Sequence, residues 1–409
     1  MMTRLLLFTN EYPYRTGDVV FVEKEIRDLA AAFDDVVVFC HARDTSAGMV
    51  DLPANVTFGS NLFLPAPEDS PRAILRPHAL RMLLAAAWRE LRAGRLRQHA
   101  LPFLLGARIG LTQADRRAVR AAIDGADDVV AYAFWGMGGG QALPWLRGVR
   151  RRVARVHGYD LYEERAASGY LPARPFYYGR ADRILTISEH GRAYLLDRLP
   201  ALDRADTVRL SRLGVAGPAA LVRPVRGEGL VVVSCSTISA LKRVPLILDA
   251  VAAFARADGR PIEWVHFGDG PEREAVAART ADLPENLTVT LRGSTPNSDI
   301  LAFYAARRVD VFVNLSTTEG VPVSIMEAIS YDIPVVATRV GGTPEIVGEE
   351  HGTGRLVAAD PGAEEVAGAL AAVVDAADGE FSPRARWEAE FDVRVTGPRA
   401  AALVAGRDA

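Results

Sequence analysis

The chain has 409 residues, of which 49% are hydrophobic and 24% charged, with a formal net charge of −3. That length is too great for one ordinary core and fits two domains of about 200 residues each. The composition describes a globular chain and excludes a disordered or membrane-spanning one.

The opening run from Met1 to Asn10 carries too short an apolar stretch for a signal peptide or a spanning helix. Strand-like runs fall at 4–9 and 35–41, with Tyr12, Tyr14, Gly17 and Asp18 in the loop after the first. Between Pro71 and Arg120 stand eleven arginines against only Glu90 and Asp115, so this stretch carries +9 and the remainder −12. Leu80, Leu83, Leu84, Trp88 and Leu91 recur there at helical spacing. Such a helix either rests on an anionic membrane, each cation contributing about 1 kcal/mol near the lipid, or turns its leucines to the core. No aromatic-basic motif of a nucleic-acid module accompanies the charge, so no nucleic-acid partner is expected.

Further strands are read at 128–134, 152–157, 182–188 and 207–213. Gly136-Met137-Gly138-Gly139-Gly140 has the wrong spacing for a dinucleotide fingerprint and is read as a packing turn at a helix start. His157, with Gly158 beside it and Asp160 three residues on, follows a strand. It is placed to hydrogen-bond a ligand, or to be a satisfied core histidine. A glycine- and proline-bearing stretch at 214–229 reads as an interdomain linker.

Strands restart at 230–234, 263–267, 287–291, 310–315 and 334–338, with helices beginning near Pro245, Pro271, Ser298, Val321 and Ala363. Alternation of strand and helix predicts an α/β chain with mainly parallel sheets. Of 48 basic residues only Lys24 and Lys242 are lysine. Lys242 follows the first strand of the second half, where a compact ammonium can neutralise a diphosphate, worth roughly 1.5–3 kcal/mol for a charge-assisted bond. A plain surface lysine is the alternative. Cys40 and Cys235 lie in strand-like runs of different halves and read as buried thiols of a reducing compartment. There is no Asp-x-Asp and no histidine–cysteine cluster, so no metal site is expected.

The densest signal is Glu319-Gly320-Val321-Pro322-Val323-Ser324-Ile325-Met326-Glu327, directly after a strand. Glu319 then lies in a loop at a strand's carboxyl end and Glu327 early in the next helix, for which Pro322 is a suitable start. Such an edge binds ligands, and helix-start N–H groups attract anions. A carboxylate would be repelled by a diphosphate, so these two are read as acceptors of hydroxyl hydrogen bonds. Two solvated glutamates favoured by a helix dipole are the alternative.

Ser316-Thr317-Thr318-Glu319-Gly320, Glu327-Ala328-Ile329-Ser330, Ile333-Pro334-Val335-Val336-Ala337-Thr338 and Gly341-Gly342-Thr343-Pro344-Glu345-Ile346-Val347 together resemble the retaining GT-B glycosyltransferases of the GT4 type, group 1, in a bacterial polysaccharide subgroup. The resemblance implies two Rossmann-like domains facing across a cleft. It divides the chain into an acceptor-binding domain at 1–213, a linker at 214–229, a nucleotide-sugar domain at 230–380, and a tail at 381–409 returning to the first domain. Trp387, Phe391 and the run at 398–405 belong to that tail.

The implied activity is metal-independent transfer, with no cofactor, from a nucleotide diphosphate sugar, expected to be UDP-linked, to a glycan, lipid-linked or natural-product hydroxyl. Glu319, Lys242 and His157 would serve the reaction. Gly17, Thr237, Arg243, Gly268, Gly293, Gly320, Val321, Pro322, Val323 and Glu327 would join Lys242 and Glu319 around the donor, and Tyr14, Asp18 and Asp160 would meet the acceptor. Relatives carry an arginine where Thr237 stands, so Arg243 is the candidate for the second cation. The expected address is the cytoplasm, including the inner membrane face. A 2-epimerase or phosphorylase of the same fold, or a non-catalytic nucleotide-sugar-binding subunit, are the competing readings.

Overall fold

The computed structural model describes residues 2–66, 76–204, 207–222, 224–225, 227–281, 283–377 and 379–407. Arg72, at the head of the arginine-rich stretch, lies outside them. The chain divides into two units, Met1–Arg212 with Thr396–Ala409, and Leu213–Val395.

The first unit is built on seven strands: β1 (Thr3–Phe8), β2 (Asp35–Cys40), β3 (Val56–Asn61), β4 (Asp128–Ala133), β5 (Arg151–Val156), β6 (Arg183–Thr186) and β7 (Val208–Leu210). They lie in the order β3-β2-β1-β4-β5-β6-β7, every pairing parallel. Helices cover both faces, so the central strands read as continuous apolar runs; Leu5 to Phe8 are fully buried. The direction of winding reverses between β1 and β4, the switch point at which open sheets receive ligands.

The second unit has six strands: β8 (Leu230–Cys235), β9 (Ile262–Phe267), β10 (Leu287–Leu291), β11 (Val311–Asn314), β12 (Val335–Thr338) and β13 (Gly354–Val357). Their order is β10-β9-β8-β11-β12-β13, again all parallel. Here the switch falls between β8 and β11. The loops leaving those two strands carry Lys242 and Glu319.

Sequence reading omitted β3 and β13, both outermost strands of their sheets. Each breaks the buried-strand pattern: Thr57 is exposed in β3, and β13 has only four residues. The tail also differs from expectation. Residues 381–395 belong to the second unit, and the crossing to the first comes at Thr396. Trp387 causes this, because its fully buried indole donates to the Val215 carbonyl at 3.2 Å and Val215 pairs with Asp392. That also draws the start of the expected linker into the second unit. Beyond Thr396 the chain packs against the first unit, where Ala401, Leu403 and Val404 enter the core and Arg183 bonds the Leu403 carbonyl.

The described part of the arginine-rich stretch forms the helices Pro77–Arg92 and Leu96–Ala114 and the start of a third, Arg117–Asp124. The first buries Ala79, Met82, Ala86 and Glu90 and leaves Leu80, Leu84, Trp88 and Leu91 exposed. Four of the five stripe residues therefore face outward, while Leu83 packs half-buried against the core. Both acids of the stretch are paired, Glu90 with Arg95 and Asp115 with Arg76 and Arg120. No described helix is long and apolar enough to cross a membrane.

Candidate functional site

The loop from Leu315 to Pro322 is held from three sides. Asn314 accepts from the Ser316 amide at 3.0 Å, turning the chain as it leaves β11. Thr338 of β12 donates to the Ser316 carbonyl at 2.6 Å, and Thr317 donates its amide to Leu241 at 2.8 Å. Gly341 closes over the loop with φ +53°; a Cβ there would sit 1.9 Å from the Glu319 carbonyl oxygen, so no side chain fits. The helix Val323–Ser330 follows, with Pro322 as its cap and no side-chain cap bond. Ile325 and Met326 bond to the Pro322 carbonyl, while the Val323 and Ser324 amides precede any intrahelical acceptor.

Glu319 is buried, and its Oε1 accepts from the Lys242 ammonium at 2.6 Å and the Asn314 amide at 3.4 Å. Lys242 is half-buried in the loop after β8, its amide bonded to Ser239. Two residues 77 apart in sequence thus form one ion pair at the start of a helix. Glu327 lies on that helix, also buried, and accepts from Asn297 at 3.0 Å. Cys235, at the end of β8, joins this neighbourhood. Burial pushes its thiol up to about 12, Glu327 adds to the rise and Lys242 opposes it. Thr237 is exposed in the same loop. Gly268 donates its amide to the Gly293 carbonyl at 2.9 Å, joining the loops after β9 and β10.

Beneath these loops His266 is fixed by its neighbours. The Trp264 indole donates to Ser234 Oγ, which is 2.8 Å from His266 Nδ1, and His266 Nε2 lies 3.1 Å from the Ser236 carbonyl. One consistent assignment has Ser234 donating to Nδ1 and Nε2–H donating to the carbonyl. Burial pushes this histidine down to about 4, so the ring is neutral.

Arg243 corrects an expectation. Its guanidinium bonds Leu315 O at 2.6 Å, Ser316 O at 3.2 Å, Ala359 O at 2.8 Å and Asp360 at 2.9 Å. The fork binds three carbonyls and a carboxylate, so it fastens the loop and is not presented to a donor.

Two acceptor assignments in the first unit are corrected likewise. Asp18 is buried and receives the amides of Asn10, Glu11 and Tyr12 together with the Trp135 indole. Asp160 is fully buried and receives the amides of Gly136 and His157. Both carboxylates organise loops and have turned away from any acceptor. Tyr14 sets its ring edge-on to Phe58 at 6.0 Å. Gly17, with φ +53°, lies in the loop that Asp18 gathers.

His157 keeps its candidacy. The ring is 5% exposed and packs against Phe134 and Trp135, with centroids 5.4 and 4.1 Å away. Burial lowers its pKa, so it is neutral, and neither ring nitrogen has a hydrogen-bond partner. Asp160 stands 3.6 Å from Nδ1, beyond a good bond. A buried, unpaired imidazole is costly unless something occupies its nitrogens.

Sequence reasoning missed Asn314 and Asn297, the amide partners of Glu319 and Glu327. It also missed a cavity of about 790 Å³ in the first unit, which Asn10, Glu11, His41, Gln113 and Tyr159 help to line. Asn314 carried a faint signal, as an asparagine ending a strand. The cavity carried none, because its residues come from six separate segments.

Comparison with known proteins agrees with this geometry. Residues 229–376 match the family Glycosyl transferases group 1. The Escherichia coli protein named as colanic acid biosynthesis glycosyltransferase WcaL is 27% identical over 257 residues, 60% of this chain and 61% of WcaL. The chain thus spans about three fifths of that relative's length. Anabaena Alr3699/HepE, solved in complex with UDP, superposes with a TM-score of 0.62 at 16% identity, covering 98% of this chain and 99% of that one. WaaG, a glycosyltransferase of lipopolysaccharide biosynthesis, gives 0.61 at 14% identity, covering 99% and 100%. Two parallel Rossmann-like sheets with these neighbours define the GT-B fold, and the match to the glycosyl transferases group 1 falls within the second unit.

Proposed function

We propose that this protein is a retaining, metal-independent glycosyltransferase that moves a sugar from a UDP-sugar to a hydroxyl of a glycan acceptor. The observation that carries the reading is the Lys242–Glu319 pair at the start of the Val323–Ser330 helix. A diphosphate entering there meets the ammonium and the free amides of the helix start. Donor binding exchanges partners: Lys242 passes to the diphosphate, and Glu319 takes hydroxyls of the transferred sugar. Glu327 is assigned to the ribose, and Gly268, Gly293, Thr237 and Gly320 to Val323 to the walls of the donor site.

In the transfer, the bond from the sugar's C1 to the diphosphate oxygen breaks and its electron pair leaves with UDP. The acceptor oxygen bonds C1 on the same face, and its proton passes to the departing diphosphate. Lys242 and the helix amides stabilise the charge that develops, which is where electrostatic catalysis acts. His157 is assigned to a hydroxyl of sugar or acceptor. Freedom from metal is supported by this cationic arrangement and by the lack of an Asp-x-Asp in the sequence. The UDP complex of HepE, on the same fold, supports the choice of base.

The acceptor is assigned to a lipid-linked glycan at the cytoplasmic face of the cell membrane, with the protein bound peripherally. The outward stripe of Leu80, Leu84, Trp88 and Leu91, flanked by Arg81 and Arg92, supports this. One observation favours a second reading. Because Arg243 is engaged elsewhere, a non-catalytic subunit that binds nucleotide sugar without consuming it has a physical basis.

The test is incubation with UDP-hexoses and a detergent extract of bacterial membranes, following UDP release and the anomeric configuration of the product by NMR. Extract-dependent UDP release with retention is expected. UDP-sugar binding without extract-dependent release would leave the subunit reading, and an inverted product would overturn the retaining assignment.

A further inference from the structure

A nucleotide held at Lys242 and Glu319 extends along the carboxyl edge of the second sheet. Glu327 gives the direction, because it reaches Asn297, the first residue of the helix Asn297–Ala306 after β10. The path therefore runs from β11 and β8 toward β9 and β10. Neighbouring strands lie about 4.8 Å apart, so a base roughly 10 Å from its diphosphate reaches about two strands on, over the loops leaving β9 and β10.

Those loops leave a place for one side chain. Gly268 lies against the loop after β8, where a Cβ would come within 1.9 Å of the Ser236 carbonyl oxygen, and its amide ties it to Gly293. Gly293 has φ +70°, and Arg273 Nη1 stands 3.1 Å from where its Cβ would be. Arg273 opens the helix Arg273–Ala278 and folds back over both loops. Its Nη2 makes only a long bond to Leu291 O at 3.5 Å, and its Nη1 is buried with no hydrogen-bond partner among the described residues. Asp269 Oδ2 is 3.6 Å from Nη1, beyond a hydrogen bond, and Oδ1 of the same carboxylate accepts the Gly270 amide at 2.7 Å. Asp269 thus balances the charge of the guanidinium and leaves its N–H open. A buried open donor is costly unless an oxygen from elsewhere completes it.

We propose that Arg273 selects the base of the donor nucleotide, its Nη1 donating to the 4-keto oxygen of uracil. That oxygen lies across the ring from the ribose bond, so it is the group that reaches farthest from Glu327. A guanidinium only donates. Uracil presents it with an acceptor, whereas cytosine, equal in size, presents an amine and sets N–H against N–H. Adenine meets the same opposition. The inference rests on the nucleotide-sugar reading above and names the side chain that fixes its base.

The test is calorimetric titration of the full chain with UDP, CDP and inorganic diphosphate, repeated for Arg273→Met and Arg273→Lys. A site built to hydrogen-bond one group rejects the analogue without it, so the native chain should bind UDP at least about tenfold more tightly than CDP. In Arg273→Met, UDP should weaken at least about fivefold while CDP and inorganic diphosphate hold within about twofold, so the preference for UDP collapses. Arg273→Lys keeps the charge on a shorter donor and should give an intermediate preference.

A preference for UDP that stays at its native value in both variants would overturn the proposal, as would a native chain that binds CDP as tightly as UDP. An equal loss of UDP, CDP and inorganic diphosphate in Arg273→Met would overturn it too, by showing the arginine to be a structural part of the loops. The native titration is read separately: no binding of either nucleotide overturns the nucleotide-sugar reading, whereas UDP binding with an unchanged preference in the variants overturns the base assignment alone.

Discussion

Lys242 is one of two lysines in a chain of 48 basic residues, and it pairs with the glutamate of the densest motif. In the proposed transfer it stabilises the negative charge that develops on the departing diphosphate, so Lys242→Ala should lower turnover by tenfold or more, each decade corresponding to about 1.4 kcal/mol. Steady-state rates with a fixed acceptor check this, and an unchanged kcat would remove the lysine from the reaction. Asp18 has a different part. Its carboxylate gathers three amides and an indole, so Asp18→Ala leaves buried donors unpaired and should reduce stability by about 3 kcal/mol, read as a fall in Tm. An unaltered Tm would contradict the loop-organising role. The sequence marked Asp18 and Asp160 as polar residues near a strand's carboxyl end, and that much located the right loops. It could not tell which way a side chain turns. The cavity is lined by Asn10, Glu11 and Tyr159, neighbours in those same loops, while both aspartates point into the fold. The Arg243 assignment failed for a related reason. Its partners come from Leu315, Ser316, Ala359 and Asp360, and no local pattern announces contacts more than 70 residues away.

Among the elements, strands buried on both faces were legible because burial writes itself as an unbroken apolar run. β1, β4, β8 and β11 show this, and their carboxyl ends located the loops that matter. Of the four outer strands β7 and β10 were read and β3 and β13 escaped, since an outer position relaxes the apolar pattern without erasing it. The Pro77–Arg92 helix was ambiguous in sequence, since an apolar stripe among arginines serves either a core or a membrane. The structure turns Ala79, Met82 and Ala86 to the core, with Leu83 half-buried beside them, and leaves Leu84 60% and Trp88 55% exposed. That inverts the usual economy of a surface helix and calls for a partner surface. Replacing Arg81, Arg89 and Arg92 by glutamine should reduce co-sedimentation with anionic vesicles several-fold, with little change on neutral ones. Equal sedimentation with both would show the helix to be an ordinary part of the fold.

At the scale of the molecule, the two sheets repeat one design, each with a switch point from which chemistry-bearing loops depart. Three histidines, His157 and His266 buried and His41 half-buried, tie that design to pH. His41 and His266 are pushed down to about 4, and His157 is also lowered, in each case first by burial. Their folded-state values lie below the ordinary value near 6.5, so between about 6.5 and 4 the unfolded chain binds the extra protons. Stability is therefore complete above 6.5 and falls as the pH drops through that window. Melting curves at pH 7 and pH 5 should show the loss, and His266→Gln should make it smaller; an identical loss in that variant would contradict the assignment. The central claim, however, is that Lys242 and the helix start at Val323 form a metal-free site for the diphosphate of a UDP-sugar. Calorimetric titration of UDP, GDP, ADP and dTDP in EDTA, with the native chain and Lys242→Ala, tests it most directly. The account predicts that UDP binds most tightly, that EDTA leaves its affinity unchanged, and that the variant binds it at least tenfold more weakly. Binding that disappears in EDTA, or a variant that binds UDP as well as the native chain, would contradict it.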